Sequence, residues 1–139
     1  MNGLIALLGS GEYLPVMNEV DAYLLSNCGA NGRKPRVVCL PTAAGQEGDA
    51  SVGRWMKMGV DHFTALGAEV QALKVIDKTT ANDVNHAAAV KEADLVYFSG
   101  GNPMYLYQTM KDSLVWQAAQ EVFERGGVYA GVLQHQQPR

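Results

Sequence analysis

Three stretches of small and polar residues carry the types that do chemistry at the edge of a fold, and a fourth position follows them. Ser99-Gly100-Gly101-Asn102 sets two adjacent glycines between small polar residues. At the carboxyl end of a strand such glycines let main-chain N–H groups face a ligand oxygen, as an oxyanion hole requires. The same residues also suffice for a plain strand-to-helix turn, and their types leave both readings open. Gly9-Ser10-Gly11 offers backbone amides to an anion in a similar way. It lacks the third glycine of a dinucleotide loop and the lysine of a P-loop, and Glu12 puts a negative charge where phosphate would sit. A tight turn is the better reading there. Thr42 opens the third stretch, which runs to Gly48, and whatever follows Gly131 is the fourth place to search.

The remaining reactive types are dispersed. His62 and His86 fall on predicted helices, where a partly exposed surface histidine is the ordinary explanation, and His135 lies far from both, so no metal motif forms. Cys28 and Cys39 have neither metal-ligand nor redox spacing and are expected to be reduced structural thiols. Asp49, Asp61, Asp77, Asp83 and Asp94 are expected to act as caps or on solvated faces, with no carboxylate pair among them. Tyr97, Tyr105, Tyr107 and Trp116 fit core or near-core positions.

The elements that must position these residues alternate in type. Leu4 to Leu8 is a continuous apolar run, as a strand buried on both faces reads. Val16, Met17, Val20, Tyr23 and Leu24 then fall at helical spacing, and Gly29-Ala30-Asn31-Gly32 closes that helix. Arg36 to Leu40 is a second strand. Val52, Trp55, Met56, Gly59, Val60, Phe63 and Leu66 trace the face of a second helix. A strand is predicted over Glu69 to Ile76, then a helix through Val84, Ala87, Ala88 and Lys91 opened by a capping box of Thr80 and Asp83. Asp94 to Phe98 is a fourth strand; its exit offers Asn102 as a cap and Pro103 as a first-turn residue. The stripe Leu114, Val115, Ala118, Ala119, Val122 and Phe123 ends at Gly126-Gly127, and a fifth strand begins at Val128. Strands alternating with helices imply right-handed crossovers and a parallel sheet covered on both faces, with ligands beyond the strands' carboxyl ends.

The bulk figures agree with one globular α/β domain. The chain has 139 residues, 47% hydrophobic and 18% charged, which excludes disorder and fibrous repeats. Eleven basic against 14 acidic residues give a net charge of −3, and no segment gathers cations. Nucleic acid and membrane surfaces are therefore excluded as expected partners. No apolar run approaches the length of a membrane span and no leader pattern opens the chain, so a cytoplasmic location is expected.

Tyr97-Phe98-Ser99-Gly100-Gly101-Asn102-Pro103, followed by Tyr105-Leu106, Trp116 and Gly127-Val128-Tyr129-Ala130-Gly131-Val132, resembles the serine peptidase family of cyanophycinase and aspartyl dipeptidase (dipeptidase E). Leu8-Gly9-Ser10-Gly11-Glu12 and Leu40-Pro41-Thr42-Ala43-Ala44 are similar to that family's exits from its first two strands, and the resemblance runs from Gly3 to Val132. It implies a three-layer, doubly wound, mainly parallel sheet of the class I glutamine amidotransferase-like kind, truncated after about five strands. Residues 1–132 would be the amino-terminal part of that domain and 133–139 a family-unlike tail. It also implies hydrolysis of a peptide or isopeptide bond in a small peptide, at an acidic residue, by a serine at a nucleophile elbow, without metal or organic cofactor.

The resemblance places Leu133 where the family carries its serine and His135 where the elbow needs a glycine. Leucine has no oxygen to activate. The sequence therefore implies no catalytic residue in this chain, an oxyanion-side loop at Gly100, Gly101 and Asn102, and a strand-end crevice at Gly9, Ser10, Gly11, Glu12 and Thr42. The abrupt change after Val132 resembles a frameshift, a premature stop or an artificial boundary, and an inactive fragment is the expectation. The other reading is a non-catalytic α/β module that holds a small ligand or partner in the same crevice. A fragment would also be expected to self-associate through uncovered sheet surface.

Overall fold

Each inner strand is apolar on alternate residues toward both sides, so the sheet is stable only when helices cover both faces. The computed structural model describes residues 4–8, 13 and 17–132. Strands β1 (Leu4–Leu8), β2 (Arg36–Leu40), β3 (Glu69–Ala72), β4 (Leu95–Phe98) and β5 (Val128–Val132) form one sheet in the order β1-β5-β4-β2-β3, every neighbouring pair parallel. Helices α1 (Asn18–Ser26), α2 (Asp49–Ala65), α3 (Lys78–Ala81), α4 (Val84–Lys91), α5 (Pro103–Met110) and α6 (Leu114–Glu124) complete the described elements, with a 3-10 turn at Thr42–Ala44.

Val37, Cys39, Leu95, Tyr97, Val128 and Ala130 pack with α1 and α2 on one face, and Val38, Leu40, Val96 and Phe98 pack with α4 and α6 on the other. The two cores make this a three-layer α/β protein. Connections from β1 to β2 and from β2 to β3 run toward the β3 edge, and those from β3 to β4 and from β4 to β5 run back toward β1. The helices of each set share a face, as crossovers of one hand demand.

The expected helix α6 ends as its glycine pair suggests. Gly126 N–H donates to Phe123 O at 3.1 Å and Gly127 N–H to Val122 O at 2.8 Å, a Schellman closure with Gly126 at φ 102°. Asn102 caps α5, its side chain accepting from Tyr105 N at 3.0 Å, with Pro103 in the first turn.

Other expectations fail for definite reasons. The third strand stops at Ala72 rather than Ile76, because the Val75 and Ile76 carbonyls accept from side chains instead of a neighbouring strand. Thr80 does not open α4. It is the third residue of a capping box led by Asp77 at the head of α3, and Asp83 alone caps α4. Helix α1 buries Asp21, Leu24 and Leu25 and leaves Tyr23 61% exposed, so its inward face is rotated from the apolar stripe. The cause is His62, which is buried rather than on the surface: its Nε2 lies 2.6 Å from Asp21 Oδ2. Tyr107 is likewise on the surface, not near the core. Cys28 and Cys39 are free and buried, and burial pushes the Cys39 thiol up to about 12.

Asp94 is not on a solvated face. It sits buried at the amino end of β4, takes both arms of the Arg33 guanidinium at 2.6 and 2.7 Å, and accepts from Arg36 N at 2.8 Å. Burial alone would raise its pKa. The Arg33 and Arg36 hydrogen bonds, with the charges of Arg33 and Arg125, outweigh burial and hold the carboxyl below its ordinary value. The folded state thus holds this proton less tightly than the unfolded chain, so the contribution is complete above about pH 4 and is lost as pH falls through the depressed folded value. Asp94→Asn is expected to cost about 2 kcal/mol at pH 7, less than for a fully buried pair because Arg33 is half in water. Urea unfolding at pH 7 and pH 3 checks it: the variant's deficit shrinks at the lower pH.

Candidate functional site

In an open parallel sheet, ligands settle at the carboxyl ends of two adjacent strands whose connections leave in opposite directions. Here those strands are β2, which leads toward β3, and β4, which leads toward β5. The loops beyond them are Pro41–Gly45 and Ser99–Asn102, so two of the stretches singled out by residue type meet at the switch point.

They meet backbone against backbone. Ser99 N–H donates to Leu40 O at 3.2 Å and Asn102 N–H to Ala43 O at 2.8 Å. A Cβ at Gly101 would overlap the Ala43 carbonyl oxygen and stand 2.8 Å from Ala44 N, so this approach admits glycine alone. The 3-10 turn beneath is closed by Ala44 N–H to Pro41 O at 3.0 Å and Gly45 N–H to Thr42 O at 2.9 Å.

A third segment braces the pair from the side. Thr42 Oγ1 donates to Val75 O at 2.6 Å, and the Tyr105 hydroxyl donates to Ile76 O at 2.5 Å. A Cβ on Gly45 would run into that same Ile76 carbonyl. Thr42, expected in the crevice, is therefore fully buried with its hydroxyl already committed, and it staples the wall instead of facing a ligand. Ser99 is also buried, at 1% exposure. Neither hydroxyl is presented as a nucleophile.

This bonding leaves the Gly101 N–H, a donor of the expected kind, unspent among the described residues. The N–H groups of Ser99 and Asn102 are consumed within the fold, whereas that of Gly101 makes no hydrogen bond to any described residue. It lies just before the amino end of α5, where aligned peptide dipoles favour negative charge. An amide so held on a rigid bed can bind a carbonyl oxygen as it becomes an oxyanion. Gly100, Gly101 and Asn102 occupy one loop, and in it Asn102 spends its side chain and its own amide on α5 and Ala43, whereas the Gly101 N–H is not so spent.

Gly9, Ser10, Gly11, Glu12, Leu133 and His135 lie outside the described residues. Tyr13, next to the first group, is described and buried at φ 66°. Its ring centroid lies 5.1 Å from that of Tyr97 and 5.8 Å from that of His62. Burial drives its phenol well above the usual tyrosine range. Residue typing did not single out Tyr13, nor the carbonyls of Ala43, Val75 and Ile76. The carbonyls carry no side-chain signal at all.

Two substitutions separate these duties. Thr42→Val is expected to destabilise by about 1–3 kcal/mol, since it strands the buried Val75 carbonyl. Gly101→Ala should cost at least as much, because only backbone movement relieves its overlap. Chemical denaturation of both variants checks the order, and a Gly101→Ala protein as stable as the parent would contradict the close approach.

With the geometry in place, known proteins give it a context. A family model described as peptidase family S51 matches residues 5–132. A peptidase from an acI-B1 Actinobacterium superposes with a TM-score of 0.89 at 39% identity, over 95% of this chain and 54% of that one. A putative peptidase E protein from Listeria monocytogenes EGD-e superposes with a TM-score of 0.68 over 95% of this chain and 59% of its own; at 19% identity it shares the fold. No curated protein matches. The chain spans little more than half the length of these two solved structures. Among the described residues no helix is long and apolar enough to cross a membrane. With the family match covering nearly all of its described length and the peptidase fold reproduced around the β2–β4 crevice, the chain belongs to peptidase family S51.

Proposed function

We propose that this chain supplies the oxyanion side of a serine-type peptidase site acting on peptide or isopeptide bonds at an acidic residue, and that residues 1–139 alone do not turn substrate over. The observation that carries the reading is the Gly101 N–H, unengaged by any described residue and fixed at the switch point by the Ala43 contact. A donor placed there stabilises charge that develops on the scissile carbonyl, which is the largest single contribution in acyl transfer. The attacking oxygen is what this sequence lacks, for Leu133 stands where the family resemblance puts the serine. The parallel layer order supports kinship with class I glutamine amidotransferase-like domains. Two buried free thiols favour a reducing compartment such as the cytoplasm.

A leucine at the sequence position where the family resemblance puts the serine, together with an unspent Gly101 N–H, also favours a second reading, a binding module that holds a small peptide or anion without chemistry. One set of measurements decides between them and against both. Purified chain is incubated with aspartyl dipeptides, labelled with a fluorophosphonate probe, and melted with and without the dipeptides. No product and no labelled serine is the expected result, and either product or label overturns the inactivity. A dipeptide-dependent rise in Tm with no product favours the binding module. No shift at tenfold the working concentration of dipeptide counts against that second reading.

A further inference from the structure

Tyr13, between β1 and α1, is buried at φ 66°, in the left-handed region that bulky side chains seldom enter and that persists only where the surroundings enforce it. Four rings box it in. Their centroids lie 5.1 Å away for Tyr97, 5.8 Å for His62, 6.1 Å for Trp55 and 6.2 Å for Phe63. His62 is in turn fixed by its 2.6 Å contact with Asp21 of α1. The tip of the Tyr13 ring enters a notch in α2. Gly59 lies in the interior of that 17-residue helix, where glycine is unfavourable. A Cβ there would stand 3.1 Å from both Cζ and the hydroxyl oxygen of Tyr13, and 2.8 Å from Cys39 Sγ. A strained backbone and a mid-helix glycine thus serve one placement.

What the phenol meets is the head of the oxyanion-side loop. Cys39 and Tyr97 are register partners on β2 and β4, and the ladder runs on to Ser99, whose N–H bonds Leu40 O. Alternation then puts the Ser99 side chain on the Tyr97 side of the sheet. Ser99 Oγ is buried, makes no hydrogen bond among the described residues, and interacts with the Tyr13 phenol. With the phenol beneath it, Ser99 has no room to move toward α2, and Gly100 and Gly101 start from a fixed point.

We infer that Tyr13 is a positioning residue for the Gly101 donor: its phenol, seated in the notch at Gly59, holds the Ser99 end of the loop from beneath. The Ala43 contact fixes that loop at Gly101, and Tyr13 fixes it at the other end. This inference rests on the reading of Gly101 as an oxyanion donor, and its test reads no activity.

Tyr13→Phe, Ser99→Ala and Gly59→Ala disturb the contact from three different members. In the 15N-labelled chain, the Asn102 N–H bonded to Ala43 O should exchange with solvent faster in each variant, by about tenfold or more. The Gly127 N–H, in the closure of α6, should follow only the change in global stability. The heteronuclear NOE of Gly101 should fall with the Asn102 protection. Tyr13→Phe and Ser99→Ala together should do no more than the stronger of the two alone, as partners in one contact do. Tyrosine labelled at Cζ reads the same contact with Tyr13 intact: Ser99→Ala should move the Tyr13 resonance and leave that of the exposed Tyr23 in place. Asn102 exchange that rises no more than that of Gly127, or a Tyr13 resonance indifferent to Ser99→Ala, overturns the inference. Acetate titrated into the unaltered chain tests the donor separately. A Gly101 amide signal that acetate does not shift, with the exchange results as expected, counts against the oxyanion reading and leaves the hold of Tyr13 on the loop established.

Discussion

The contact of Gly101 with the Ala43 carbonyl sets how close the two strand-end loops of the crevice come, and most of the site's geometry follows from it. At that spacing Asn102 N–H reaches Ala43 O, Asn102 is placed to cap α5, and α5 starts where its dipole faces the crevice. A side chain at position 101 would force the loops apart and dissolve this chain of consequences at its first link. The glycine serves here by what it leaves out.

The second constraint is the bookkeeping of buried carbonyls. After Ala72 the chain leaves the sheet, yet Val75 is fully buried, and a buried carbonyl without a donor is costly. Thr42 and Tyr105 meet that need from two different loops. The segment beyond β3 therefore ties the 3-10 turn after β2 to the helix after β4. A hydroxyl that looked like chemistry turns out to be a strut, and the rigidity it confers is what an oxyanion donor requires, since preorganisation means no reorganisation during the reaction.

Periodicity revealed the strands, α2, α6 and the glycine closure, because burial on a sheet or a helix stripe writes itself into residue type. A parallel sheet covered on both faces followed from alternation and handedness, whereas the order of its strands, set by contacts distant in the chain, did not. What stayed hidden had non-local or backbone causes. The inward turn of α1 depends on Asp21 meeting His62, 41 residues away, which no local pattern encodes. Asp94 looked like a solvated acid because its partner, Arg33, lies 61 positions earlier in the chain. At the site, Gly100, Gly101 and Asn102 were legible as a loop and Thr42 as a strand-end residue, but not that the Thr42 hydroxyl is bonded to Val75 O, since a hydroxyl reads the same whether it points outward or is bonded within the fold.

The pairing of β1 with β5 joins Leu4 to Val128 and Leu8 to Val132, close to the two ends of the described sequence. During synthesis β1 is thus left waiting for β5, while the sheet of β3, β2 and β4 can assemble without it. For that interval β1 is an unpaired strand, open to capture by the edge of a neighbouring chain.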